Sequence, residues 1–241
     1  FGVNVAGGLD VVIDNAKALP GYLSMFQSYD VATGTASPYR LLTILSTLAW
    51  GLGYFGMPHI LLRFMAIEEE EKLTLSRRIA IIWVVISMAV AVFIGVIGYS
   101  MSKVGAIDVL EGSNSETIIV RIADLLSRHG VIFALLAGII LAGILASTMS
   151  TADSQLLAAS SAVSSDMLNR NGKSGIIAAR ITLMLIAVFA VILARNPNSS
   201  VFQIVSFAWA GFGAAFGPVV LFSLFWRRTN KYGALAGMLS G

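Results

Sequence analysis

Residues 50–59 read Trp50-Gly51-Leu52-Gly53-Tyr54-Phe55-Gly56-Met57-Pro58-His59, in the middle of an apolar block long enough to cross a bilayer. Three glycines and a proline within eight residues are poor helix material. In a helix interior glycine costs about 1 kcal/mol and proline about 3 kcal/mol relative to alanine. A lipid-facing helix opened here would leave carbonyls unpaired. Such backbone is tolerated at membrane depth only where it is buried in protein or lines a watery cavity. Two readings follow. The segment is a discontinuous helix whose half-helix ends aim dipoles and free backbone groups at a ligand, or a kinked helix whose small residues serve close packing. Trp50 and Tyr54, four apart, share a face if an α-helix persists between them. An indole and a phenol beside opened backbone would suit a small amphipathic ligand. Trp50 lies near mid-span, which argues against an interfacial aromatic belt.

Composition supports a lipid solvent. The 241 residues are 57% hydrophobic and 12% charged, with mean hydropathy +0.84. Soluble domains carry about 25% charged residues, so apolar blocks this long cannot all be hidden in one soluble core. Further spans are expected after the first, which runs from 41 to 62. They cover 79–101, 131–152 (continuing as helix to Leu168), 175–194 and 201–226, and a sixth opens at Tyr232. Each complete span has the roughly 20 residues needed to cross the hydrocarbon core. The fold class is therefore all-α and polytopic. The chain starts at Phe1 and stops inside an apolar run, so it is expected to be a piece of a longer protein. With no cysteine there is neither a disulfide framework nor a cysteine metal site.

The basic residues mark topology. Arg63, Lys72, Arg77, Arg78, Arg170, Lys173, Arg180, Arg227, Arg228 and Lys231 fall on one side. Lys17, Arg40, Lys103, Arg121, Arg128 and Arg195 fall on the other, over longer stretches. Ten against six places loops 63–78, 169–180 and 227–231 in the cytoplasm. Segments 1–38 and 102–130 then face outward, and the periodicity of TIIVRIADLLSRHG (117–130) predicts a short amphipathic helix along the outer face. Glu68–Glu71 beside Lys72 read as a solvated loop or helix start. Charges that anchor spans do not indicate nucleic acid, and no nucleic-acid partner is expected.

Two more stretches carry chemistry. Ala146-Ser147-Thr148-Met149-Ser150-Thr151-Ala152-Asp153-Ser154 gathers hydroxyls at the inner half of an apolar helix. These are hard oxygen donors suited to an alkali cation, although such hydroxyls also simply bond back to the i−4 carbonyl. Asp153 is a candidate for an ion pathway, because an ionisable residue near a span is costly. In Ala208–Pro218 the glycines at 211, 213 and 217 miss the dinucleotide fingerprint. Gly213 and Gly217 read as a close-packing face and Pro218 as a hinge. Gly51, Gly53 and Gly56 are hinge or packing candidates in the first motif. His59 and His129 lack metal-spaced partners or a nucleophile, and His59 reads as a structural donor, so no catalytic residue, enzyme activity or cofactor is expected.

The stretches WGLGYFGMPHILLRFMA (50–66), LASTMSTADSQLL (145–157) and SFAWAGFGAAFGPVVLFS (206–223) resemble the sodium/solute symporter family, and within it the proline-transporting branch. The resemblance implies a five-plus-five inverted-repeat fold of the leucine-transporter type, of which this chain would hold the second repeat and the start of an accessory helix. It implies Trp50, Tyr54 and Pro58 at the substrate site, with Ser150 and Thr151 as side-chain sodium ligands and Ser147 offering a backbone carbonyl. The implied activity is uptake of L-proline, or a similar small zwitterion, across the lipid bilayer of the cell membrane, with Na+ as coupling ion and alternating access as mechanism. The chain departs from that branch at Ser147 (alanine there), Met57 (glutamine) and Asp153 (no acid). Other readings are a symporter of the family for another solute, a transporter-like sensor, or an inactive fragment. No arginine lies mid-span, which favours a zwitterion over a net anion. One wall of each site would be present, so this stretch alone is expected to bind and transport neither.

Overall fold

A computed structural model describes residues 1–31, 33–168, 172–195 and 200–241. Arg170, counted above in loop 169–180, lies outside the described residues. The chain divides into two compact units, Phe1–Ala49 with Glu68–Leu141, and Trp50–Ile67 with Ala142–Gly241.

The first unit opens with elements the pattern of 1–38 did not announce. They are the helices α1 (Gly2–Val5) and α2 (Leu9–Lys17), then an antiparallel hairpin of β1 (Gln27–Asp30) and β2 (Thr35–Pro38). After α3 (Leu41–Ala49), the unit takes up again at α5 (Lys72–Lys103), α6 (Ile118–Ser127) and the first part of α7 (Val131–Ser161). Ala6, Val12 and Met101 form its fully buried core, with Val5, Ile97, Ile122 and Leu125 packed around them. The helix expected along 117–130 is α6. It buries Ala123 and Leu126 with Ala137, and Ile118 seats on Gly98 where any side chain would collide. Lys72 pairs with Glu68 at 2.9 Å and Glu69 at 3.4 Å at the exposed start of α5.

Helix α5 shows what the lipid-facing parts look like. Ile79, Ile81, Ile82, Trp83, Val84, Val85 and Ile86 are all exposed in succession. A helix apolar on every side needs an apolar surround. Its 32 residues rise about 48 Å. The excess over the hydrocarbon core carries Arg77, Arg78 and Lys103 at the ends. Among the described residues four helices are long and apolar enough to cross a membrane: α5, α7 with its π-helical extension to Met167, α8 (Gly172–Leu193) and α9 (Val201–Phe225).

The second unit holds α4 (Pro58–Met65), the later part of α7, α8, α9 and α10 (Lys231–Ser240). Asn230 Oδ1 accepts the Gly233 N–H at 2.9 Å, the side-chain cap that starts α10. The span expected over 41–62 is not one helix. α3 runs into a 3₁₀ turn, Trp50–Gly56, and that run meets α4 at 71°. If the bent pair is one span, it makes a fifth.

Candidate functional site

All the residues proposed for chemistry on the first two motifs fall in the second unit. The break is sharp. Met57 is extended (φ −107°, ψ 93°) and buried, and Pro58 opens α4 at its first position. Proline is at home there, since its missing N–H has no helical partner to find. The Met57 N–H still reaches the Tyr54 carbonyl at 3.2 Å, and its own carbonyl accepts from Ile60 and Leu61 at 3.0 and 3.2 Å. The turn is thus tied on both sides of the bend.

The glycines explain how α9 comes so close. A methyl on Gly53 would stand 2.5 Å from Trp209 Cδ1 and 2.9 Å from the Trp209 carbonyl oxygen. One on Gly56 would stand 2.6 Å from Phe212 Cβ. From the other side, Gly213 faces the Gly53 backbone and Gly217 faces Leu52. Gly51 has open space around its α-carbon and takes no part in this contact. α9 continues as a helix through Pro218.

The aromatic pair does not share a face in the way α-helical spacing would place it. In a 3₁₀ turn the repeat is three residues, so positions four apart diverge by about 120°. Trp50 and Tyr54 are instead aligned by α9. Trp50 stacks on Phe202 (centroids 5.7 Å, 23°), and Tyr54 meets Trp209 edge-on (5.7 Å, 90°). Phe202 and Trp209 are seven residues apart, two turns of one helix face. Sequence reasoning missed these partners, although that spacing was legible. The ring of Tyr54 remains half exposed beyond this contact.

The hydroxyl run lies on unbroken α7. At about 100° per residue, Ser147, Ser150, Thr151 and Ser154 fit within a 100° arc, and Asp153 lies outside it. Asp153 is exposed and forms no ion pair among the described residues. Thr151 Oγ1 donates to the Ser147 carbonyl at 3.2 Å, Ser154 Oγ to the Ser150 carbonyl at 3.0 Å and Thr148 Oγ1 to the Ile144 carbonyl at 3.0 Å. A hydroxyl whose proton is placed on its own helix presents only lone pairs outward, which suits a cation. The same bond fills the Ser147 carbonyl, which the Thr151 N–H already uses within the helix. Coordination through that carbonyl therefore requires Thr151 to turn its hydroxyl away. No ring contact or hydrogen bond joins the Trp50–Tyr54 pair to this cluster among the described residues. His59, expected to be a structural donor, makes no hydrogen bond there either.

Residues 3–241 match the model of the sodium:solute symporter family. The osmoregulated proline transporter OpuE of Bacillus subtilis (strain 168) is 40% identical over 207 residues, covering 83% of this chain and 40% of that protein. The sodium/proline symporter of Escherichia coli (strain K12) is 40% identical over 213 residues, 84% of this chain and 41% of its own length. The high-affinity proline transporter PutP of Bacillus subtilis (strain 168) is 37% identical over 244 residues, 99% and 48%. The chain thus spans less than half the length of these curated relatives. No solved structure matches it.

Proposed function

The chain belongs to the sodium:solute symporter family, in a multi-pass plasma-membrane protein, and on that premise we propose that it forms part of a sodium-coupled proline transporter working by alternating access. The observation that carries this is the helix broken by 71° at Met57, in a chain 40% identical to a protein named as a sodium/proline symporter. In this reading it contributes the second inverted repeat of a five-plus-five fold. Trp50, Tyr54 and Pro58 form one wall of the substrate pocket. Ser150 and Thr151 side chains, with the Ser147 carbonyl, form one wall of the sodium site. Loops 63–78, 169–180 and 227–231 face the cytoplasm.

The geometry supports a division of labour. The bend at Met57 is the place where backbone rearranges, and the glycine contact with α9 holds its outer arm. Sodium takes up the Ser147 carbonyl as the Thr151 hydroxyl rotates off it, so ion binding rearranges side chains on that turn while the α7 backbone stays helical. Because sodium and substrate then favour one conformation, each raises the other's affinity by one common factor. The membrane potential adds about 2.3 kcal/mol per charge per 100 mV to the driving force. Met57, one of the departures from the proline branch, is buried behind the bend, so its change bears on the hinge more than on substrate choice.

The test is a competition screen with the complete protein in proteoliposomes under an inward sodium gradient. Sodium-dependent uptake of L-proline, displaced by proline ahead of other small zwitterions and organic acids, is expected. Sodium-dependent uptake of another solute that proline does not displace would overturn the proline assignment.

A further inference from the structure

His59 and Arg63 stand four residues apart on α4, one above the other on the same helix face. They line a cavity of about 400 Å³ whose far side is the end of the α7 hydroxyl stripe, Ser154 and Ser161, with Leu62 and Leu157 supplying apolar wall. The volume falls within the roughly 300–1,000 Å³ of small-molecule sites. Among the described residues no acidic side chain lines it, and Arg63 forms no ion pair. An unpaired guanidinium is a strong carboxylate receptor and repels a metal cation.

The hydroxyls around it are not equivalent. Ser154 places its proton on the Ser150 carbonyl at 3.0 Å, so toward a ligand it offers lone pairs. Ser161 makes no side-chain hydrogen bond among the described residues and can donate. The lining therefore combines donors for a carboxylate (Arg63, His59, Ser161), an acceptor for an ammonium or iminium group (Ser154) and apolar surface for a hydrocarbon body. The stripe is continuous. Ser147, Ser150, Thr151, Ser154, Ala158 and Ser161 share one arc of α7 and span about 21 Å.

We propose that this cavity is a second, inner subsite that receives the carboxylate of the zwitterionic substrate after it leaves the Trp50–Tyr54 pocket. The inference rests on the transport reading for its direction, from the membrane to the cytoplasmic face. Its chemistry rests on the cavity lining. An uncharged stripe passes sodium and substrate alike. The basic mouth holds the carboxylate and hurries the cation, which separates the two on release.

The chain carries no cysteine, so Ala158→Cys puts a single reporter thiol on the cavity wall. In inside-out vesicles of the complete protein, freed of any other reactive thiol, L-proline should slow alkylation of that thiol by a neutral maleimide about fivefold or more, the order expected of a partly exposed charge-assisted contact. L-prolinamide, which lacks the carboxylate, should not. Arg63→Gln should reduce proline's protection to the amide's level, His59→Gln should weaken it, and Arg63→Lys should retain part of it. Protection should persist in Tyr54→Ala, which separates this cavity from the main pocket. Equal protection by prolinamide, unchanged protection in Arg63→Gln, or its loss in Tyr54→Ala would overturn the proposal. So would labelling that depends on anionic lipid and not on proline, the sign of a headgroup occupant. Sodium-driven uptake is a separate readout. Protection without proline uptake overturns the transport reading and keeps the cavity, and uptake without protection does the reverse.

Discussion

The runs Trp50–Met65 and Ser147–Ser161 lie in the same unit and both depart from plain apolar helix, yet only the first one breaks. In the first, glycines let α9 approach the 3₁₀ turn to backbone contact, and Met57 turns the chain through an extended residue. In the second, seven hydroxyl side chains sit on a continuous helix, and several of them return their protons to carbonyls one turn back. The contrast shows two ways of putting polar groups at membrane depth. One frees backbone and needs a neighbour to hold it. The other leaves backbone intact and presents lone pairs on a rigid rail. A substrate site that opens and closes suits the first, and an ion site of fixed spacing suits the second.

The largest effect should come from breaking the packed side. Gly53→Ala places a methyl 2.5 Å from Trp209, an overpacking of the kind that costs about 1–3 kcal/mol. Sodium-driven uptake per transporter should fall by about tenfold or more, since each 1.4 kcal/mol is a factor of ten. Gly51→Ala, with nothing within 4 Å, should be close to wild type. Equal effects at the two glycines would dissolve the packing account.

On the rail, Thr151→Ala or Ser150→Ala should raise the sodium concentration for half-maximal uptake, each by about tenfold if a ligand is worth some 1.4 kcal/mol. Thr148→Ala, off the arc, should leave sodium dependence unchanged. The same sodium curve for all three would remove the hydroxyls from the ion site.

A smaller effect should separate ring from hydroxyl in the broken segment. Tyr54→Phe keeps the edge-on contact with Trp209 and should change the proline constant less than about threefold. Tyr54→Ala loses an aromatic pair of about 0.5–1.5 kcal/mol and should raise that constant further at saturating sodium. A wild-type value for Tyr54→Ala would take it out of the pocket wall.

Much of this was legible in the sequence, for identifiable reasons. Long apolar blocks fix helices in lipid almost alone, so α5, α8 and α9 begin or end within a few residues of their hydropathy limits. The Gly-Pro cluster marked 50–59 as either a break or a kink, and the period of TIIVRIADLLSRHG announced α6. Composition could not say that the break would be a 3₁₀ turn, and that shift of period is why Trp50 and Tyr54 part. Nor could it pair Trp50 with Phe202 or Tyr54 with Trp209, because those contacts depend on how α9 lies on the turn. The helices and hairpin before residue 39 were missed because elements this short make no apolar block of span length. The cavity between His59, Arg63 and the end of the stripe was invisible for a different reason. Its two walls are some 90 residues apart in the chain.

Reciprocal binding tests the central claim most directly. With the complete protein in nanodiscs, the dissociation constant of L-proline is measured with and without sodium, and that of sodium with and without L-proline. Sodium should tighten proline by a factor within the usual range of about 5 to 150, and proline should tighten sodium by the same factor. Thr151→Ala should weaken both. A proline affinity indifferent to sodium would contradict the account.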